Sequence, residues 1–154
     1  MRDDWDLEFF PRLLPASRVS LGAASVLCRI ARKAARDAGV AVSVVVVDRG
    51  GAIVMAERMD NAETQSLEVA AAKARCSALF GDPTAAFEAL VKTASPGFAT
   101  VAGMVAVGGG VPLLHDSAPV GAIGVAGATT KQDHDIAAGA AAALAEILTP
   151  AKPQ

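Results

Sequence analysis

The run Thr129-Thr130-Lys131-Gln132-Asp133-His134 gathers hydroxyls, an amide, a carboxylate and an imidazole in a few residues. Asp133 and His134 can carry a proton, while Thr129, Thr130 and Gln132 can bind a ligand's polar atoms. Thr129-x-x-Gln132 also fits a capping box, so the run is expected to open a helix whose free amides favour negative charge. Lys73, on an alanine-rich stretch, would hold a carboxylate, or act as a base if burial lowered its pKa. A solvated lysine, or one in an interface ion pair, is the plainer alternative. Arg58 is a second cation suited to a carboxylate. Gly108-Gly109-Gly110 would let a ligand approach backbone amides closely, with Gly109 and Gly110 as the contact points. A hairpin turn accounts for three glycines equally well.

Other constellations are missing. The glycine run lacks the Lys-Ser/Thr of a phosphate loop and the GxGxxG spacing of a dinucleotide site. No HxxxH, CxxC, HExxH or GxSxG occurs, so no metal ligand set is expected and no hydrolase elbow is visible. Cys28 and Cys76 have no neighbouring histidine and read as small buried hydrophobes. His115 is expected in a loop, and His134 reads equally as a surface histidine between two aspartates.

Something must hold these residues together. The chain has 154 residues, 53% of them hydrophobic and 19% charged, enough for one folded domain and incompatible with disorder. Alanine occupies 35 positions, so the interior is thin and oligomerisation is expected to bury more apolar surface. A net charge of −2 without tyrosine and with one tryptophan argues against a nucleic-acid partner. No apolar run approaches the roughly 20 residues of a bilayer span. The acidic opening Met1-Arg2-Asp3-Asp4-Trp5-Asp6 is unlike a secretory signal. The expectation is a cytoplasmic protein without membrane contact.

Residues 1–16 are expected to be an extension, 17–149 one domain and 150–154 a tail. Ser17 is expected to cap a first helix reaching about Ala38, with Val19, Ala23, Val26, Leu27, Ile30 and Ala34 as its apolar stripe. Gly39 ends that helix. Residues 40–47 and 52–59 read as strands joined at Asp48-Arg49-Gly50-Gly51. Residues 63–80 read as a helix packed through Leu67, Ala70, Ala71, Ala74 and Ala78. Asp82-Pro83 reads as the cap of a short helix reaching about Thr93. Residues 104–107, 111–115 and 120–126 read as three more strands, joined by the glycine run and by Asp116-Ser117-Ala118-Pro119. The final helix follows, stopped by Pro150. This order predicts an α+β domain with a five-stranded, mostly antiparallel sheet and flanking helices.

Several of these stretches resemble the GlcG/HbpS-like family. Val44-Val45-Val46-Val47-Asp48-Arg49-Gly50-Gly51 with Arg58-Met59-Asp60 resembles its first hairpin. Gly108 to Leu113, Val120 to Gly127 and Thr129 to Asp133 match its second signature. The family is often described as haem-binding or haem-degrading and includes the C-terminal domain of PduO-type corrinoid adenosyltransferases. The resemblance implies a profilin-like layered fold and a homo-oligomer, from dimer to octamer, whose subunits share the pocket. It implies haem or iron binding for some members and a place beside catabolic pathways for others. On that implication His134 is the candidate haem-iron ligand. Two functions follow. One is binding of a small, anionic and planar ligand such as haem. The other is metal-free acid–base chemistry (isomerisation, hydration or decarboxylation) on a small carboxylic acid, with Asp133 or His134 moving the proton and Lys73 or Arg58 holding the carboxylate.

Overall fold

In the computed structural model, which describes residues 17–148, the chain forms an α+β domain around one antiparallel sheet. The elements in order are α1 (Leu21–Asp37), β1 (Ser43–Asp48), β2 (Ile53–Arg58), α2 (Ser66–Phe80) and α3 (Thr84–Thr93). A 3₁₀ turn (Pro96–Thr100), β3 (Gly110–His115), β4 (Ala118–Ala126), α4 (Thr130–Ala142) and α5 (Leu144–Leu148) follow. The strands lie in the order β2-β1-β4-β3, each antiparallel to its neighbours. The proposed extension (1–16), the tail (150–154) and Pro150 lie outside the described residues.

The valine run is explained by this order. β1 is central and both of its faces are covered, so apolar residues occupy successive positions instead of alternating with polar ones. Val44 and Val46 meet Leu27, Ile123 and Leu113 on one face, under α1, α4 and α5. Val45 and Val47 meet Ala70, Ala71 and Ala74 of α2 on the other.

Five expectations are corrected. Among the described residues the sheet has four strands, not five, because residues 104–107 form no strand. The Val105 amide bonds the Cys76 sulfur (3.2 Å), which in turn faces the Val105 carbonyl, so that backbone has no strand partner. The glycine run is not a hairpin turn. It leads into β3, and the β3–β4 turn is made instead by Asp116 and Ser117, both at positive φ (49° and 64°). The first helix begins at Leu21 with Ser20 as its cap, accepting from the Ala23 amide. Residues 17–19 stay extended because the Val19 amide donates to the Val120 carbonyl. Asp82 does not cap α3: Pro83 precedes that helix without a side-chain cap, and the Asp82 carbonyl accepts from the Ser77 hydroxyl. The final helix is also interrupted at Ala143, giving α4 and α5.

Cys28 and Cys76 are buried, as expected. Burial pushes the Cys28 thiol up to about 12, and burial likewise raises that of Cys76.

Candidate functional site

Lys73 reaches the interior because the residues opposite it lack side chains. A Cβ on Gly109 would stand 2.8 Å from Lys73 Nζ and 2.5 Å from the Val125 carbonyl oxygen, and Gly109 sits at φ +129°. A Cβ on Gly110 would stand 2.3 Å from the Lys73 carbonyl oxygen. Glycine here admits α2 to the sheet and leaves a channel for one lysine side chain.

At the end of that channel Lys73 Nζ donates to the Val125 carbonyl at 3.0 Å and to Asp133 Oδ2 at 2.8 Å. The two side chains are 2% and 3% exposed. Asp133 Oδ1 accepts from the Ala128 amide at 3.0 Å, so one carboxylate ties α2 to the loop before α4. Charges this deep are tolerable only as a bonded pair: removing one partner strands the other in a medium that solvates it poorly.

Asp133 is placed by the capping box that the spacing predicted. The Thr129 hydroxyl accepts from the Gln132 amide (3.3 Å), and Gln132 Oε1 accepts from the Thr129 amide (3.2 Å) and hydroxyl (2.9 Å). Thr129 and Gln132 therefore spend their side chains on each other. Thr130, one residue on, is exposed and faces a cleft of about 330 Å³ together with Lys73, Asp133, Val69, Val107 and Glu63. The amino end of α4 thus borders a cavity floored by the buried pair.

Other predicted residues lie elsewhere. Gly109 and Gly110 are buried against Lys73, and the Gly110 amide donates to Thr84 Oγ1 at 2.9 Å. Arg58 is in a separate cleft with Arg32, Arg36, Met59 and Asp60. His134 is not among the residues lining the Lys73 cleft, and its Nδ1 is buried with no hydrogen-bond partner among the described residues. His115 is half-exposed, 3.5 Å from the Asp116 carboxylate.

Three contributors were not singled out from the sequence. Ser66 borders the cleft; its hydroxyl donates to the Glu63 carbonyl (2.6 Å) and shares a 2.7 Å bond with the buried Ser43 hydroxyl. Its spacing from Val69 and Lys73 along one helix face was the available signal. Thr84 and Glu88 hold the glycine run from α3, Glu88 Oε2 accepting from the Gly108 amide at 2.9 Å. The Lys92 ammonium, then the Gly108 amide, keep the Glu88 carboxyl below its ordinary range. No sequence pattern links Glu88 to Gly108.

Residues 19–142 match the family described as haem degrading protein HbpS-like. Protein GlcG of Escherichia coli strain K12 is 33% identical over 102 residues, 66% of this chain and 76% of that protein. The structure of a double mutant of HbpS from Streptomyces reticuli superposes with a TM-score of 0.79 at 34% identity, covering 89% of this chain and 91% of that one. A PduOC complex with haem superposes with a TM-score of 0.75 at 31% identity, covering 82% of this chain and 94% of that one.

Proposed function

This chain belongs to the HbpS-like family, and on that premise we propose that it binds a small anionic ligand in the cleft above the Lys73–Asp133 pair. One observation carries the reading. The ammonium group has three donors, and two are committed to Val125 and Asp133, which leaves one on a residue that floors a cavity. Thr130 adds a hydroxyl, the α4 amino end adds its dipole, and Val69 and Val107 add an apolar wall.

Haem in the PduOC complex makes haem a natural probe. Among the described residues, however, the histidines do not fit an axial ligand in this cleft. An iron-bound imidazole ordinarily hands its second ring nitrogen to an acceptor, and His134 Nδ1 has none. At about 330 Å³ the cleft suits a small acid, or the propionate edge of a larger planar one. Acid–base catalysis ranks second: both Asp133 oxygens are occupied, so that residue is no ready proton carrier.

Titration calorimetry with short carboxylic acids and with hemin tests the proposal. Lys73→Met combined with Asp133→Leu, which strands no buried charge, should weaken the binding about tenfold or more, the worth of a charge-assisted bond, while His134→Ala leaves it unchanged. Equal affinity in wild type and that double variant overturns the assignment. We also propose that the chain is a homo-oligomer, its exposed Val69, Val101 and Val107 covered by another subunit. Light scattering giving a single-chain mass contradicts that.

A further inference from the structure

We propose a second ligand site, between the β1–β2 turn and the carboxyl end of α2, that takes an amphiphilic organic anion: one oxyanion head on an apolar body. A cavity of about 610 Å³ opens there, larger than the Lys73 cleft and within the usual span of ligand pockets, roughly 300–1,000 Å³. Its lining is divided. Arg49 from the turn and Arg75 from α2 supply two guanidinium groups, and Ala78, Leu79, Phe80 and Pro119 supply apolar surface.

Among the described residues, no carboxylate lines this cavity. The nearest acid in sequence, Asp48, spends Oδ1 on the amides of Gly50 and Ala52 (2.9 and 3.0 Å). Elsewhere on the surface Lys33, Lys92 and Lys131 each bond a carboxylate four residues away. Arg75 instead donates Nε to the Gly51 carbonyl at 3.3 Å, which steadies the side chain against the turn and leaves its terminal N–H groups for a bidentate partner. Gly51 sits at φ +84°, which favours glycine in the turn, and a Cβ built there would only touch the Arg75 stem at an ordinary 3.6 Å. Leu79 is 66% exposed beside these cations, and nothing stands within 4 Å of a Cβ built on Gly81. An apolar body seated on Leu79 and Phe80 would cover that surface while its head meets the arginines.

This site shares no residue with the Lys73 cleft, so the two proposals stand or fall separately. Amide chemical-shift titration of the whole chain with octanoate tests it. Saturable shifts at Gly50, Gly51 and Gly81 are expected. Arg49→Gln with Arg75→Gln should weaken binding about tenfold or more without lowering the melting temperature, and Leu27→Ala, on the opposite face of the sheet, should leave it intact. Octan-1-ol and inorganic phosphate should each bind about tenfold more weakly than octanoate, because each lacks one half of the ligand. Octyl phosphate, run alongside, tells whether carboxylate or phosphate is the preferred head. The absence of saturable shifts with both octyl anions overturns the site. So does undiminished binding in the double variant. Phosphate alone binding as tightly as octanoate overturns the amphiphile.

Discussion

The two faces of the sheet are built from opposite materials. Under α1, α4 and α5 the side chains are bulky: Leu27, Leu113, Ile123 and Leu144 are essentially inaccessible to solvent. Under α2, apart from Val45 and Val47, they are small: Ala70, Ala71, Ala74, Ala122 and Ala126, with Gly110 and Gly124 in the same register row. A Cβ on Gly124 would lie 2.0 Å from the Ala70 carbonyl oxygen, so α2 rests almost directly on the strand backbone. The first face stabilises by buried volume, at about 1.5–3 kcal/mol for each large side chain. The second stabilises less by volume, and its close approach is what brings Lys73 to Asp133. Small residues on this sheet face thus mark where a buried ion pair is held.

The comparison is broken most severely at the ion pair. Asp133→Ala should cost about 3–5 kcal/mol by stranding Lys73, whereas Asp133→Leu combined with Lys73→Met should fold nearly as stably as wild type. Urea denaturation measures both, and equal losses in the two would show that the pair is not what holds α2 to α4. Leu27→Ala, on the bulky face, should cost about 2–5 kcal/mol through its cavity and leave ligand affinity unchanged. Gly124→Ala, on the close-packed face, should cost up to about 3 kcal/mol by overpacking and weaken ligand binding as α2 moves away. Affinity lost in Leu27→Ala but kept in Gly124→Ala would reverse the roles of the faces.

A smaller effect is expected with pH. The folded Glu88 carboxyl is held below its ordinary value, so its contribution is present above the unfolded pKa of about 4.3 and lost as pH falls through the folded value. The contribution should be less than about 1 kcal/mol, since the group is partly exposed. Glu88→Gln should flatten the acid limb of a melting-temperature profile between pH 7 and 3. An unchanged limb would mean that Lys92 and the Gly108 amide together do not hold the Glu88 carboxylate.

What could be read from the sequence was what depends on neighbours along the chain. The box at Thr129 and Gln132 spans one helical turn, the β1–β2 turn is closed by Asp48 on its own successors, and the central strand announced itself as unbroken valine. Lys73 and Asp133 were each picked out by type. Their pairing was not legible, because 60 residues separate them and only the stacking of α2 on β4 makes them meet. Arg58 was set beside Lys73 by charge alone, and the edge position of β2 carries it to a different cleft. The 104–107 stretch has strand composition, yet its backbone is claimed by a cysteine sulfur, which no periodicity records. The glycine run was open equally to a hairpin turn and to the close approach of a ligand. That the visitor is the chain's own lysine follows only from the fold.

A crystal structure of the protein with its co-purifying molecule, or with a carboxylic acid that binds in solution, tests the central claim most directly. The account predicts an oxyanion within hydrogen-bond distance of Lys73 Nζ and the Thr130 hydroxyl, with the Lys73–Asp133 bond intact. A ligand seated away from that cleft, with Lys73 untouched, would contradict it.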